Sequence, residues 1–238
     1  ILGAPVVNLD VASDQEIAFI CVRLNEVLAS GESLQVSYGI LNLTHRNNHE
    51  VPEACEPGKR YPVRVQLNDI AHTFAPGSRI RVAVSTSFWP IVWPSPRPAT
   101  VSLFTGGSTL LLPVRESRST DANVRALPPP RHARTHPTSV IKEGEPTSVA
   151  TTVDKETGIQ SFVYRTNSGT TRYDRHGWTT SVKTDYRYHI HPDDPTTACI
   201  DLTATETYGR EYELDARIEA HQKMTCDETH FVIEAKLD

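Results

Sequence analysis

PGSRIRVAVSTSFWPIVWPSP, from Pro76 to Pro96, joins the two features that decide how this chain is read. Pro76-Gly77 marks a turn, and RIRVAVS then alternates strictly. Ile80, Val82 and Val84 fall on one face, while Arg79, Arg81 and Ala83 fall on the other, as in a strand buried on one side only. The alternation stops at SFWPIVWPSPRPAT (Ser87–Thr100), which packs four prolines and two of the three tryptophans between Trp89 and Pro98. Proline removes a backbone donor and fixes φ, so this segment is neither a helix nor a central strand. It reads as a stiff loop carrying the largest apolar side chains of the protein, and such rings are expected to be covered by something.

Outward from this point the same grammar repeats. Ile17–Leu24, Leu34–Thr44, Tyr61–Leu67 and Arg79–Thr86 each read as strands. Turn residues punctuate them at Ala29-Ser30-Gly31-Glu32, Glu56-Pro57-Gly58-Lys59 and Ala75-Pro76-Gly77-Ser78. Only LNEVL, Leu24 to Leu28, leans towards helix. Short strands separated by tight turns imply an antiparallel sandwich over residues 1–114. From Arg115 the pattern lapses into RESRSTDANVRALPPPRHARTHPTSVIK, with six Lys or Arg against two acids, and residues 115–143 read as an extended Pro/Arg-rich linker. Residues 144–238 resume as a second antiparallel region. Its predicted strands Thr179–Ile190, Ala198–Tyr208, Tyr212–Gln222 and Thr229–Leu237 are polar on one face, and turns are expected at Asp174–Gly177 and Tyr208–Glu211. No repeat relates the two halves.

Composition narrows the function. The chain has 238 residues and a formal net charge of −5, which repels a nucleic-acid backbone from the average surface. The basic linker lacks the interleaved aromatics of a nucleic-acid binder. No apolar run approaches the roughly 20 residues of a membrane-spanning helix, so a soluble, cytoplasmic chain is expected. ILGAPVVNLDV begins mid-pattern, which suggests a cut inside a longer polypeptide. Cys21, Cys55, Cys199 and Cys226 show no metal-binding spacing. They read as four thiols, with a Cys199–Cys226 disulfide as the one pairing the strand placement would allow. The sequon at Asn42 lies inside a strand pattern.

A search for chemistry finds fragments. Gly31-Glu32-Ser33-Leu34-Gln35 and Gly106-Gly107-Ser108-Thr109-Leu110 both lack the closing glycine of a nucleophile elbow, and neither precedes a helix. The metal candidate is His189, His191 and Asp193. The two histidines sit two apart on a strand, about 7 Å from each other on one face, although the adjoining Pro-Asp-Asp-Pro is ordinary turn chemistry. His45 and Arg46, in the polar run THRNNHE, are a candidate binding rim, weighed against a loop held together by its own hydrogen bonds. Trp89, Pro90, Trp93 and Pro94 form the remaining candidate, a platform for a sugar ring or a wedge for a protein surface, weighed against indoles that fold back and cap the sandwich core. No cofactor is called for.

ILGAPVV, VRLNEVLASGES, VSYGILNLTHR, EPGKRYPVRVQL, PGSRIRVAVSTSFWPIVWPSP and STLLLPVR occur in this order between Ile1 and Arg115. Together they resemble the C-terminal non-catalytic domain of the X-Pro dipeptidyl-peptidase and cocaine esterase (CocE/NonD) hydrolase family. The resemblance implies an all-β, galactose-binding-like jelly roll, here lacking its first strands, that packs on an α/β-hydrolase domain of the same polypeptide and helps wall its active-site cleft. The parent would be a serine hydrolase: an esterase, acylase or X-Pro dipeptidyl-peptidase. None of its triad residues maps onto this sequence. On this reading the tryptophan loop is a contact surface for the hydrolase domain or for a second subunit. The other reading is a free-standing carbohydrate-binding jelly roll; a third is an independent metal enzyme centred on His189, His191 and Asp193.

Overall fold

A computed structural model describes residues 1–210 and 213–238. The last residue of the expected Tyr208–Glu211 turn and the first of the expected Tyr212–Gln222 strand lie outside the described residues. The chain divides into two compact units, Ile1–Arg125 and Ala126–Asp238.

The first unit contains β1 (Leu2–Gly3), β2 (Val6–Ser13), β3 (Phe19–Val27), β4 (Ser33–Asn42), β5 (Arg60–Gln66), β6 (Ile70–Ala71), β7 (Arg79–Ser85), β8 (Val101–Leu103) and β9 (Thr109–Leu111). One sheet runs β5-β2-β8, with β9 also on β2, and another runs β4-β3-β7; every pairing is antiparallel. The core lies between them. Val7, Leu9 and Val11 come from β2, Ile20, Val22 and Leu24 from β3, and Val63 and Val65 from β5, each nearly inaccessible. This is the period-two pattern of the sequence turned into a sandwich, each such side chain contributing about 2 kcal/mol on burial. At the predicted turns Gly31, Gly58 and Gly77 adopt φ of +90°, +78° and +83°, a region that disfavours any side chain.

Two expectations need correction here. The helical lean at LNEVL loses to the sheet: β3 continues through Val27, because Asn25, Glu26 and Val27 pair with β4 on one side and with β7 on the other. Helix propensity is worth only tenths of a kcal/mol per residue, less than two flanking ladders. The apolar face of β7 is also not buried as its alternation implies. Val82 and Ile80 stand opposite Leu24 and Glu26, on the core side, yet remain 38% and 48% exposed. Among the described residues β7 pairs with β3 alone, and only Val84 packs on the core.

The second unit contains β10 (Thr138–Lys142), β11 (Glu145–Val153), β12 (Gln160–Asn167), β13 (Thr170–Tyr173), β14 (Trp178–His191), β15 (Asp194–Arg210), β16 (Leu214–Cys226) and β17 (Phe231–Leu237). The last residues of the expected linker are thus strand β10, paired with β13. All eight strands form one antiparallel sheet in which β14 pairs with β12 and β13 along one side and with β15 on the other, followed by β16 and β17. Register separates the faces. Thr151, Phe162, Tyr188, Ile200, Met224 and Ile233 lie side by side across six strands, while the neighbouring row on the other face reads Ala150, Val163, Arg187, Asp201, Lys223 and Glu234. Phe162–Tyr188 and Tyr164–Tyr186 stack across β12 and β14, each pair at 5.9 Å.

Candidate functional site

The Ser87–Thr100 segment leaves β7 without regular structure except a local turn, in which the Val92 N–H donates to the Phe88 carbonyl at 2.9 Å. Phe88 roots the segment to the outer face of the β4-β3-β7 sheet: its ring meets Tyr38 at 5.2 Å, and the Arg23 guanidinium lies 6.0 Å from its centroid. Beyond this root the turn brings Trp89 and Trp93 edge to face, centroids 5.4 Å apart with 81° between the ring planes. Both indoles are half-buried, as are Pro90 and Pro94, and neither indole belongs to the core cluster. The Trp89–Pro90 peptide is cis. Ile91, between the two tryptophans in sequence, is 65% exposed. The four residues singled out from the sequence therefore do come together, as a compact apolar knuckle. Rings at that angle do not form one flat platform of the kind on which a sugar would lie across both.

Arg46 occupies a different loop and serves a different purpose. Asn42 caps the short turn Leu43–His45 by accepting the Thr44 N–H, which accounts for the sequon residue. The chain then wanders to Arg60, and Arg46, its side chain only 8% exposed, gathers it. Nη1 donates to the carbonyls of Leu43 (3.0 Å) and Glu53 (2.6 Å), and Nη2 to the Ala54 carbonyl (3.4 Å) and Glu53 Oε2 (3.3 Å). The guanidinium also lies 4.3 Å from the Tyr61 ring centroid. With its donors directed inward, Arg46 organises the loop rather than offering itself to a ligand. His45 meets His49 at 3.4 Å between Nδ1 atoms on the exposed side.

The metal candidates are each engaged locally. The pairing of β14 with β15 shifts register between His189 and His191, while its pairing with β12 runs unbroken through His189 and Ile190. His189 Nδ1 engages Ser161 Oγ at 2.8 Å, while the His191 ring packs over Gly158 and its Nδ1 accepts the Asp193 N–H at 3.2 Å. Among the described residues no group of three or more His, Cys, Asp or Glu is placed to hold a metal ion. The Cys199–Cys226 pairing is overturned as well. Cys199 stands opposite Thr225, so Cys226, one residue on, projects from the other face, and no disulfide joins them. Ser33 begins β4 and Ser108 precedes β9, neither at a strand-to-helix elbow. No helix among the described residues is long and apolar enough to cross a membrane.

Two charged groups escaped the reading of motifs. Glu26 is buried on β3, bonded by His72 Nε2 at 2.8 Å and by the Ala75 N–H at 2.6 Å. The Ser78 hydroxyl foremost, then these partners, hold its carboxyl below the usual carboxylate range against the opposing effect of burial. Asp185 on β14 accepts from Arg187 Nε (2.9 Å) and Arg165 Nε (2.8 Å), and Arg187 chiefly brings it down to about 2. Alternation marks Asp185 and its arginines only as a polar face, and nothing local marks Glu26, whose partners lie about fifty residues away in sequence. A groove of about 500 Å³ on the β2–β5 face, lined by Asn8, Asp10, Arg60 and Arg64, is likewise a product of strand pairing.

Among solved structures, an aminopeptidase from a marine sediment Thaumarchaeota archaeon is 24% identical, covering 44% of this chain and 21% of its own, with a TM-score of 0.41. An α-amino acid ester hydrolase is 26% identical, covering 48% of this chain and 23% of its own, with a TM-score of 0.44. The chain thus spans less than a quarter of either protein. No curated protein matches it. The family model of the X-Pro dipeptidyl-peptidase C-terminal non-catalytic domain matches residues 1–136, more than half of the chain, and the chain belongs to that family.

Proposed function

We propose that this protein is the non-catalytic β portion of a CocE/NonD-type serine hydrolase, acting on an ester, amide or X-Pro peptide, and that it docks on the catalytic domain of the same polypeptide and shapes its cleft. The first unit is then a galactose-binding-like jelly roll, residues 115–137 a connection, and the second unit an extension. The chemistry belongs to the other domain: serine attacks the acyl carbon, histidine accepts its proton, and backbone donors hold the oxyanion. The observation that carries the docking is the apolar surface at the β7 end of the sandwich, where Ile80 and Val82 stay partly exposed on the core side and the half-buried Trp89–Trp93 pair, with exposed Ile91, sits in the loop that follows. Rigid aromatic anchors of this kind concentrate interface energy.

The test is made in the intact parent enzyme. Trp89→Ala with Trp93→Ala should raise KM or loosen the association of the two domains by tenfold or more, since burying one such ring is worth about 2–3 kcal/mol. Unchanged kinetics and unchanged stability would refute the docking role. The chain by itself should hydrolyse neither p-nitrophenyl esters nor X-Pro amides.

A further inference from the structure

The second unit's sheet ends in two edges that differ in kind. On the β11 side the edge is blunted: Pro146 has no N–H to offer, and register shifts interrupt both β11, between Glu145 and Ser148, and β10, between Val140 and Lys142. The β17 edge has no such guard. Its register with β16 is unbroken from Ala220–Leu237 to Cys226–Phe231, all seven residues are exposed, and among the described residues it pairs with β16 alone. The hydrogen bonds fix which way its main chain points. Glu219 and Asp238 exchange bonds of 3.0 and 2.9 Å, and the Asp227 N–H donates to the His230 carbonyl at 3.0 Å, so the even-numbered residues of β17 face β16. Ile233, Ala235 and Leu237 therefore aim their N–H and C=O groups away from the sheet.

We infer that β17 is the seam of a two-fold dimer, in which a second copy of this chain adds its own β17 antiparallel, centred on Ala235. Residue chemistry selects this register. Ala235 meets Ala235 of the second copy, and Ile233 meets Leu237, each an outward-facing pair that exchanges two hydrogen bonds, about six in all. Glu234 falls opposite Lys236 of the second copy on the charged face, twice by symmetry, and Ile233 beside Leu237 extends the apolar face. A register centred on Glu234 would set two carboxylates against each other and leave Lys236 opposite Val232. Lys236, alone a deterrent to edge pairing, thus has a matched partner in a second β17.

Sedimentation velocity on the full chain at tens of micromolar tests this. A dimer is expected. Ala235→Pro removes only an outward N–H and leaves the β16 ladder intact, so it should give a monomer with an unchanged unfolding transition. Lys236→Glu, which turns two attractive pairs repulsive, should raise the dimer dissociation constant by about tenfold or more. Adding Glu234→Lys to it restores opposite charges and should restore the dimer. If the proline variant fails to fold, the charge reversal and its rescue decide. In the dimer, amide exchange at Ile233, Ala235 and Leu237 should slow as concentration rises. A monomeric parent chain, or a dimer indifferent to Lys236→Glu and to Ala235→Pro, overturns the inference.

Discussion

Arg46 offers the sharpest separation between a binding residue and a structural one. Arg46→Ala removes donors to three main-chain carbonyls, an ion pair with Glu53, and a cation over Tyr61. Hydrogen bonds to a charged donor net about 1.5–3 kcal/mol each when buried, but this loop lies at the surface, and water can replace a share of them. The ion pair to half-exposed Glu53 adds less than about 1 kcal/mol, and the stacking about 0.5–1 kcal/mol. The expected loss is about 3 kcal/mol, which for a unit of this size lowers Tm by about 10 °C. Differential scanning calorimetry of the whole chain reads it directly, as a shift in the transition of the first unit with that of the second unchanged. Arg46→Lys should recover only a minor part, because an ammonium cannot address carbonyls from residues 43, 53 and 54 at once. A shift of less than about 2 °C for Arg46→Ala would refute the reasoning and return Arg46 to the list of candidate ligand contacts.

Two further outcomes follow from packing and charge. A Cβ on Gly39 would lie 2.4 Å from the Gln66 carbonyl oxygen and 3.0 Å from Leu67 Cδ2, so Gly39→Ala must push β4 away from the end of β5 and should cost about 1–3 kcal/mol in urea unfolding; a neutral substitution would show that this approach is looser than drawn. Asp185, at about 2 in the folded protein against an ordinary 3.8, contributes stability that is fully present above pH 4 and is lost as pH falls towards 2; after discounting for its half-exposed arginine partners this amounts to about 1 kcal/mol. Asp185→Asn should flatten that part of the acid limb of the stability–pH curve, and an unchanged acid limb would remove Asp185 from the account.

The irregular loop that carries Trp89 and Trp93 was visible in the sequence because proline acts locally. Four prolines exclude regular structure whatever surrounds them, and an i to i+4 turn suffices to bring the indoles together. The sandwich was visible for a similar reason, since a strict period of two can bury its apolar set only as a strand. What escaped notice depends on partners distant in sequence. LNEV reads as helix until β4 and β7 close on both sides of it, and Ile80 and Val82 read as core until the sheet is seen to end at β7.

By itself, then, the sequence determined the all-β character, the turns of the first unit and the irregular course of the aromatic loop, all of which follow from backbone sterics and side-chain alternation within a few residues. Tertiary structure alone decided that Arg46 is spent on its own loop, that His189 and His191 each take a separate local partner, that Cys199 and Cys226 face opposite ways, and that β17 presents Ile233, Ala235 and Leu237 at an unguarded edge. The last two turn on register and edge position. A shift of one residue moves a side chain to the other face of a sheet, and nothing in local composition records which strand lies alongside or where the sheet stops.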